Sequence, residues 1–156
     1  RNRLKIIVAT NVVLSGLLWG GPPNQILKWA RDRIIRILVC DRTVGELKRV
    51  LQYGKFASRL SVLQASPQQT MAYFLNFAYF VPDPESVPTI IKADPFDNLF
   101  LALAAEKEAA LIVSGDRHLL NLESFEKIQI VTPSESVQII MELHRHPGDP
   151  PEKYRT

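Results

Sequence analysis

The sequence has a single cysteine, Cys40, in 156 residues. That excludes an internal disulfide and any zinc site built from cysteines. No apolar run approaches the roughly 18 residues that span a bilayer. The stretch after Arg1-Asn2-Arg3, Leu4–Val8, is too short for a secretory signal core. The expectation is therefore a cytoplasmic protein with no membrane association. Glycine-rich nucleotide loops of the GxGxxG or Walker type are missing. Ser114-Gly115-Asp116 does not sit in a GxSxG nucleophile elbow, and of three histidines two, His144 and His146, fall near the C-terminus. A Ser-His-Asp triad thus has only His118 to build on.

What is present suits one domain with a full core. Apolar residues make up 46% and charged residues 22%, which argues against disorder for the bulk of the chain. Net charge is +3, but it is unevenly placed. Residues 1–60 hold twelve Lys/Arg and three Asp/Glu, whereas residues 61–156 hold seven and thirteen. The basic half supplies either a surface for a polyanion or a solvated helix face.

Four short apolar runs read as strands: Leu4–Val8, Ile35–Cys40, Leu111–Ser114 and Ile128–Val131. Amphipathic helices are expected between them, over Val12–Trp19, Asn24 to about Arg33, and Thr43–Leu51 behind an Asp41 cap. Others are expected over Phe56–Leu63, after the Ser66-Pro67 start signal, over Leu99–Ala105, and over Pro133–Leu143. Residues 81–89, with three prolines, read as a loop. Alternating strands and helices predict a parallel sheet with helices on both faces, over a single domain of residues 1–143. Residues 144–156 read as a disordered tail.

In such sheets ligands sit beyond the C-terminal ends of strands, where strand order reverses. The first strand ends at Ala9-Thr10-Asn11 and the third at Ser114-Gly115-Asp116. Glu46 follows the second strand, and Asp97 follows Asp94-Pro95. Each acid alone reads as a helix N-terminal carboxylate favoured by the dipole. Together, Glu46, Asp97 and Asp116 would repel unless a cation joined them. Hard ions such as Mg²⁺ and Mn²⁺ prefer carboxylate oxygens and promote phosphodiester hydrolysis. A nuclease suits that set.

The segments IIVATNVVLSGLL (6–18), LVCDRTVGELKRVL (38–51), DPFDNLFLALA (94–104), LIVSGDRHLL (111–120) and IVTPSESV (130–137), in that order, resemble the PIN-domain family. Within it, the chain is similar to VapC-like ribonuclease toxins of toxin–antitoxin systems. The resemblance implies a three-layer α/β/α sandwich with a mostly parallel, about five-stranded sheet. It implies RNA cleavage with Mg²⁺ or Mn²⁺, Glu46, Asp97 and Asp116 as catalytic and metal-binding acids, and Ala9, Thr10, Asn11 and Ser114 lining the site. It also implies a homodimer or higher oligomer and a cognate antitoxin protein.

One departure weighs most. The family's first segment reads aspartate-threonine-asparagine, and here it reads Ala9-Thr10-Asn11. A natural loss and an introduced change are equally consistent with that. His118 stands where close relatives have a second acid, and Phe96 interrupts an acidic run. Losing a direct ligand should cost more than the roughly 10–100-fold typical of outer-shell losses. Asp94 is a candidate replacement, but it reads rather as the N-cap of the helix that follows. The expectation is a weakened or abolished ribonuclease; the alternative is an inactive PIN-like scaffold that binds RNA or a protein partner. A doubly wound small-molecule or regulatory domain shares the fold class but lacks a signature here.

If RNA is the substrate, Arg42, Lys48 and Arg49, on the helix of Glu46, are the nearest phosphate contacts, with Arg31, Arg33 and Arg36 further off. The run Tyr73–Phe80 holds five aromatic rings in eight residues, which cannot share one core stripe on a helix. It reads as core plus a neighbouring helix, or as a dimer or antitoxin interface.

Overall fold

A computed structural model describes residues 3–145. Six strands form one sheet: β1 (Leu4–Val8), β2 (Ile35–Val39), β3 (Tyr79–Phe80), β4 (Leu111–Val113), β5 (Ser124–Phe125) and β6 (Ile128–Val131), in the order β3-β2-β1-β4-β6-β5. All pairs are parallel except β5–β6. The four apolar runs are the four longer strands, which the sheet buries on both faces. The extra two strands have two residues each and lie at the edges, too short to carry a period.

The helices are α1 (Thr10–Leu18), α2 (Pro22–Arg31), α3 (Asp41–Leu51), α4 (Ala57–Val62), α5 (Pro67–Leu75), α6 (Asp97–Glu106), α7 (Arg117–Leu120) and α8 (Pro133–Arg145). Alternation along the strands divides the core in two. Ile6, Val8, Ile35, Ile37, Leu111 and Val113 pack against α1, α2, α3, α5 and α8. Ile7, Ala9, Leu38, Cys40 and Ile112 point the other way, onto α6 and α7. This is the expected α/β/α sandwich.

Helix α6 explains much of the site. Every residue from Asp97 to Ala104 is buried, the pattern of a helix sunk between other elements rather than lying on a surface. Lys5 of β1 donates through Nζ to the Lys107 carbonyl at 2.8 Å, closing the helix's C-terminal end. The N-terminal end is held by Asn98, which is 3% exposed. Its Oδ1 accepts from Ile90 N and Ile91 N at 3.0 and 2.8 Å, and its Nδ2 donates to the Ile91 carbonyl at 2.8 Å. The proline-rich loop is thereby stapled to the first turn of α6.

Local capping corrects several boundaries. Asp41 is the first residue of α3, not its cap; Cys40 N instead donates to Thr43 Oγ1 at 2.9 Å. Cys40 is fully buried, and that burial pushes its thiol pKa up, as suits a core side chain. Ser66 does cap α5, in a reciprocal pair with Gln69. Helix α2 starts at Pro22, because proline is tolerated in a first turn. Gly16 lets α1 and α2 touch: a Cβ there would stand 2.6 Å from the Pro23 carbonyl oxygen. Helix α8 continues two residues past Leu143; the remainder of the expected tail, 146–156, lies outside the described residues. Among the described residues no helix is long and apolar enough to cross a membrane.

Candidate metal centre

Strand order reverses between β1 and β4, since β2 and β3 lie to one side of β1 and β4 to the other. The two strand tips are tied by Ala9 N donating to the Val113 carbonyl at 2.9 Å. A cavity of about 510 Å³ opens over them. It is lined by Ala9, Thr10 and Asn11 after β1, by Ser114 and Asp116 after β4, by Glu46 of α3, and by Asp94 and Asp97 at the start of α6. Glu46, Asp97 and Asp116, far apart in sequence, therefore face one space.

Three carboxylates come closest. One oxygen each from Asp94, Asp97 and Asp116 lies within 4.8 Å of the other two. Asp97 is 6% exposed because the buried α6 carries its first residue down with it, and no N–H or hydroxyl donor reaches its Oδ2, which leaves the neighbouring Asp116 carboxylate as the group with which Asp97 can share a proton. Burial, a hydrogen bond with Asp116, and the charges of Asp94 and Asp116 push Asp97 up to about 8. Asp116 moves the other way. Its bond with Asp97 and its acceptance of the His118 backbone N–H hold it below the usual carboxylate range. Without a cation, the pair shares one proton that resides on Asp97 at neutral pH.

Asp116 is positioned twice over: Oδ1 accepts from His118 N at 2.9 Å, and its own N–H donates to Ser114 Oγ at 2.9 Å. Asp94 is not a helix cap, since α6 is preceded by Phe96. It closes a turn instead, with Oδ1 accepting from Phe96 N at 3.2 Å and its carbonyl from Asp97 N at 3.0 Å. The sequence hint for Asp94 was its place one turn before Asp97 across a proline.

Glu46 lines the cavity but stands apart from the trio. Its Oε1 accepts from Arg49 Nη2 at 2.6 Å and from Arg49 Nε at 3.1 Å. Ala9 precedes α1 without any side-chain cap, while its carbonyl accepts from Val12 N and Val13 N. Arg42, Lys48 and Arg49 are exposed on α3 and do not line the cavity, whereas Arg117 does. Arg117 had no signal beyond following Asp116.

A family model described as a PIN domain matches residues 5–118. The chain belongs to the PIN-domain family. The matched span runs from β1 into α7 and includes Ala9, Glu46, Asp94, Asp97 and Asp116. PIN domains have a nuclease-like fold and generally use divalent metal ions. The donor set agrees: three carboxylates, one with a buried, unpartnered oxygen, form a hard-oxygen site that is costly to ionise without a cation. A search of curated proteins gives no match.

Proposed function

We propose that this PIN domain is a ribonuclease of the VapC-like toxin type whose phosphodiester hydrolysis is weakened or abolished by Ala9. The observation that carries this reading is the unpartnered, buried Asp97 oxygen beside Asp94 and Asp116 at the switch point. Asp94, Asp97 and Asp116 would hold Mg²⁺ or Mn²⁺, with Glu46 across the cavity. The chemistry such an ion supplies when bound is polarisation of a phosphoryl oxygen and activation of water. Asp97 gives up its proton as the cation site fills, and Ser114 keeps Asp116 aimed. Arg117, Thr10 and Asn11 offer a charge and neutral donors to a phosphate in the cavity.

Ala9 supplies no carboxylate at the tip of β1, so the negative charge sits on one wall of the cavity. That observation also favours a second reading, a catalytically silent scaffold that binds RNA or a protein partner. Partners consistent with either reading are RNA, a cognate antitoxin, and a second copy of the chain in the cytoplasm. The aromatic edge formed by Tyr73, Tyr79 and Phe80, each more than two-fifths exposed, supports a protein contact.

Cleavage of labelled RNA and Mn²⁺ binding, compared between the parent and Ala9→Asp, test the proposal. The revertant should bind Mn²⁺ more tightly and cleave faster. A revertant that binds no more Mn²⁺ than the parent overturns the site; tighter binding without cleavage leaves the scaffold reading.

A further inference from the structure

Outside the cavity, rings and cations alternate on a surface at the C-terminal ends of α1 and α3. Trp19, at the end of α1, and Phe56, in the turn before α4, have ring centroids 6.5 Å apart. The Arg59 guanidinium lies 5.6 Å from the Trp19 centroid, Lys55 Nζ lies 5.2 Å from that of Phe56, and Arg49 lies 5.6 Å from that of Tyr53. Arg59 is held in place by Nε donating to the Leu18 carbonyl at 2.6 Å. Trp19 and Tyr53 are 43% and 42% exposed, whereas Phe56 is 8% exposed and packs against Trp19 from the core.

The surface is continuous with the cavity. Arg49 bonds both Tyr53 and Glu46, and Glu46 and Val50 line the cavity from the same helix. Ser15, one turn before Trp19 on α1, lines it too. The surface thus forms the rim on the wall opposite the three aspartates.

Its charge is positive overall, Glu46 offsetting Arg49 alone. The first acid in the sequence is Asp32, so the segment bearing Trp19 has none. From Leu47 to Pro82 there is no Asp or Glu at all, while Lys48, Arg49, Lys55 and Arg59 fall within it. Two copies of this face would set like charges against each other, which disfavours self-association. A polyanion with apolar flat groups meets both features. Exposed rings stack on unpaired bases, and adjacent cations take the phosphates between them. A duplex hides its base faces and would use only the charges.

We propose that the exposed rings of Trp19 and Tyr53, with Lys55 and Arg59, form a stacking platform that binds a single-stranded RNA and leads it into the cavity. The platform rests on the nuclease reading for its direction, but not for its binding. Stacking contributes severalfold to a hundredfold in affinity per base.

The test measures binding of a fluorescent twelve-nucleotide RNA strand, and of the matching duplex, by anisotropy in EDTA, so that no cleavage intervenes. The parent should prefer the strand. Trp19→Ala with Tyr53→Ala should weaken strand binding by about tenfold or more. The ring-preserving pair Trp19→Phe with Tyr53→Phe should recover most of that loss. Lys55→Gln should lower the salt slope by about 0.7. Circular dichroism and Mn²⁺ binding serve as folding controls for all variants. Unchanged strand affinity in the double alanine variant overturns the platform, as does equal binding of duplex and strand. A dimer that Trp19→Ala dissociates, with RNA affinity intact, assigns the face to protein instead and also overturns it. Mn²⁺ binding that survives any of these results leaves the metal centre standing. Strand binding by a chain that takes no Mn²⁺ defeats the nuclease reading while the platform holds.

Discussion

The two walls of the cavity are built on different terms. On the α6–β4 wall every acid is held: Asp97 by a buried helix, Asp116 by Ser114 and its own turn, Asp94 by the bond to Phe96. On the α1–α3 wall the strand tip is Ala9, and Glu46 is tied up by Arg49. The first wall is costly without a cation; the second is already close to neutral. On the proposed reading, the first wall would hold the cation and the second would decide how well the site works. The Glu46–Arg49 pair, whose arginine end is exposed, is itself worth little in stability.

Breaking the strong wall should have the largest effect. Asp97→Asn should weaken Mn²⁺ binding by about 100-fold or more, since it removes a direct ligand, read by the free Mn²⁺ signal in electron paramagnetic resonance. Acidity comes next. Filling the site must displace the Asp97 proton, so Mn²⁺ affinity should rise by up to roughly tenfold per pH unit below about 8. The same group sets a stability trend in the metal-free protein. Its folded pKa lies above the unfolded value of 3.8, so its contribution is complete below that value and is lost as pH rises through about 8. Asp116, held low, stays ionised across that window. Thermal melts should show stability falling from pH 6 to 9, and Asp97→Asn should flatten the slope.

Strengthening the weak wall gives a smaller change. Ala9→Asp should tighten Mn²⁺ by roughly tenfold or more. It also offers α1 the side-chain cap it lacks, worth about 1 kcal/mol by chemical denaturation in saturating Mn²⁺, on top of the roughly 1.4 kcal/mol that tenfold tighter binding adds there. Glu46→Gln should matter least, less than about fivefold in Mn²⁺ affinity, because Arg49 already compensates that charge. A loss as large as that of Asp97→Asn would mean that both walls hold the cation equally.

The layered sheet was legible because strands buried on both faces leave uninterrupted runs such as Leu4–Val8, and Ser66-Pro67 signals a cap through its own chemistry. Strands β3 and β5 were not, because two residues show no alternation and pairing is decided by the neighbouring strand. Of the cavity acids, Asp97 and Asp116 were visible by their place after or before core elements. Asp94, an aspartate before proline, fits a helix cap as well as a ligand, and only the turn it closes brings it beside the other two. The pairing of Glu46 with Arg49 followed a spacing of three on α3 that sequence alone leaves open to either partner or cation.

Calorimetric titration of Mn²⁺ into the parent at pH 6.5, repeated in buffers of different ionisation heat, tests most directly whether the three aspartates form one cation site. One ion per chain, with close to one proton released to the buffer, is the expected result. Binding without proton release, or equal binding to a chain carrying Asp94→Asn, Asp97→Asn and Asp116→Asn, would contradict it.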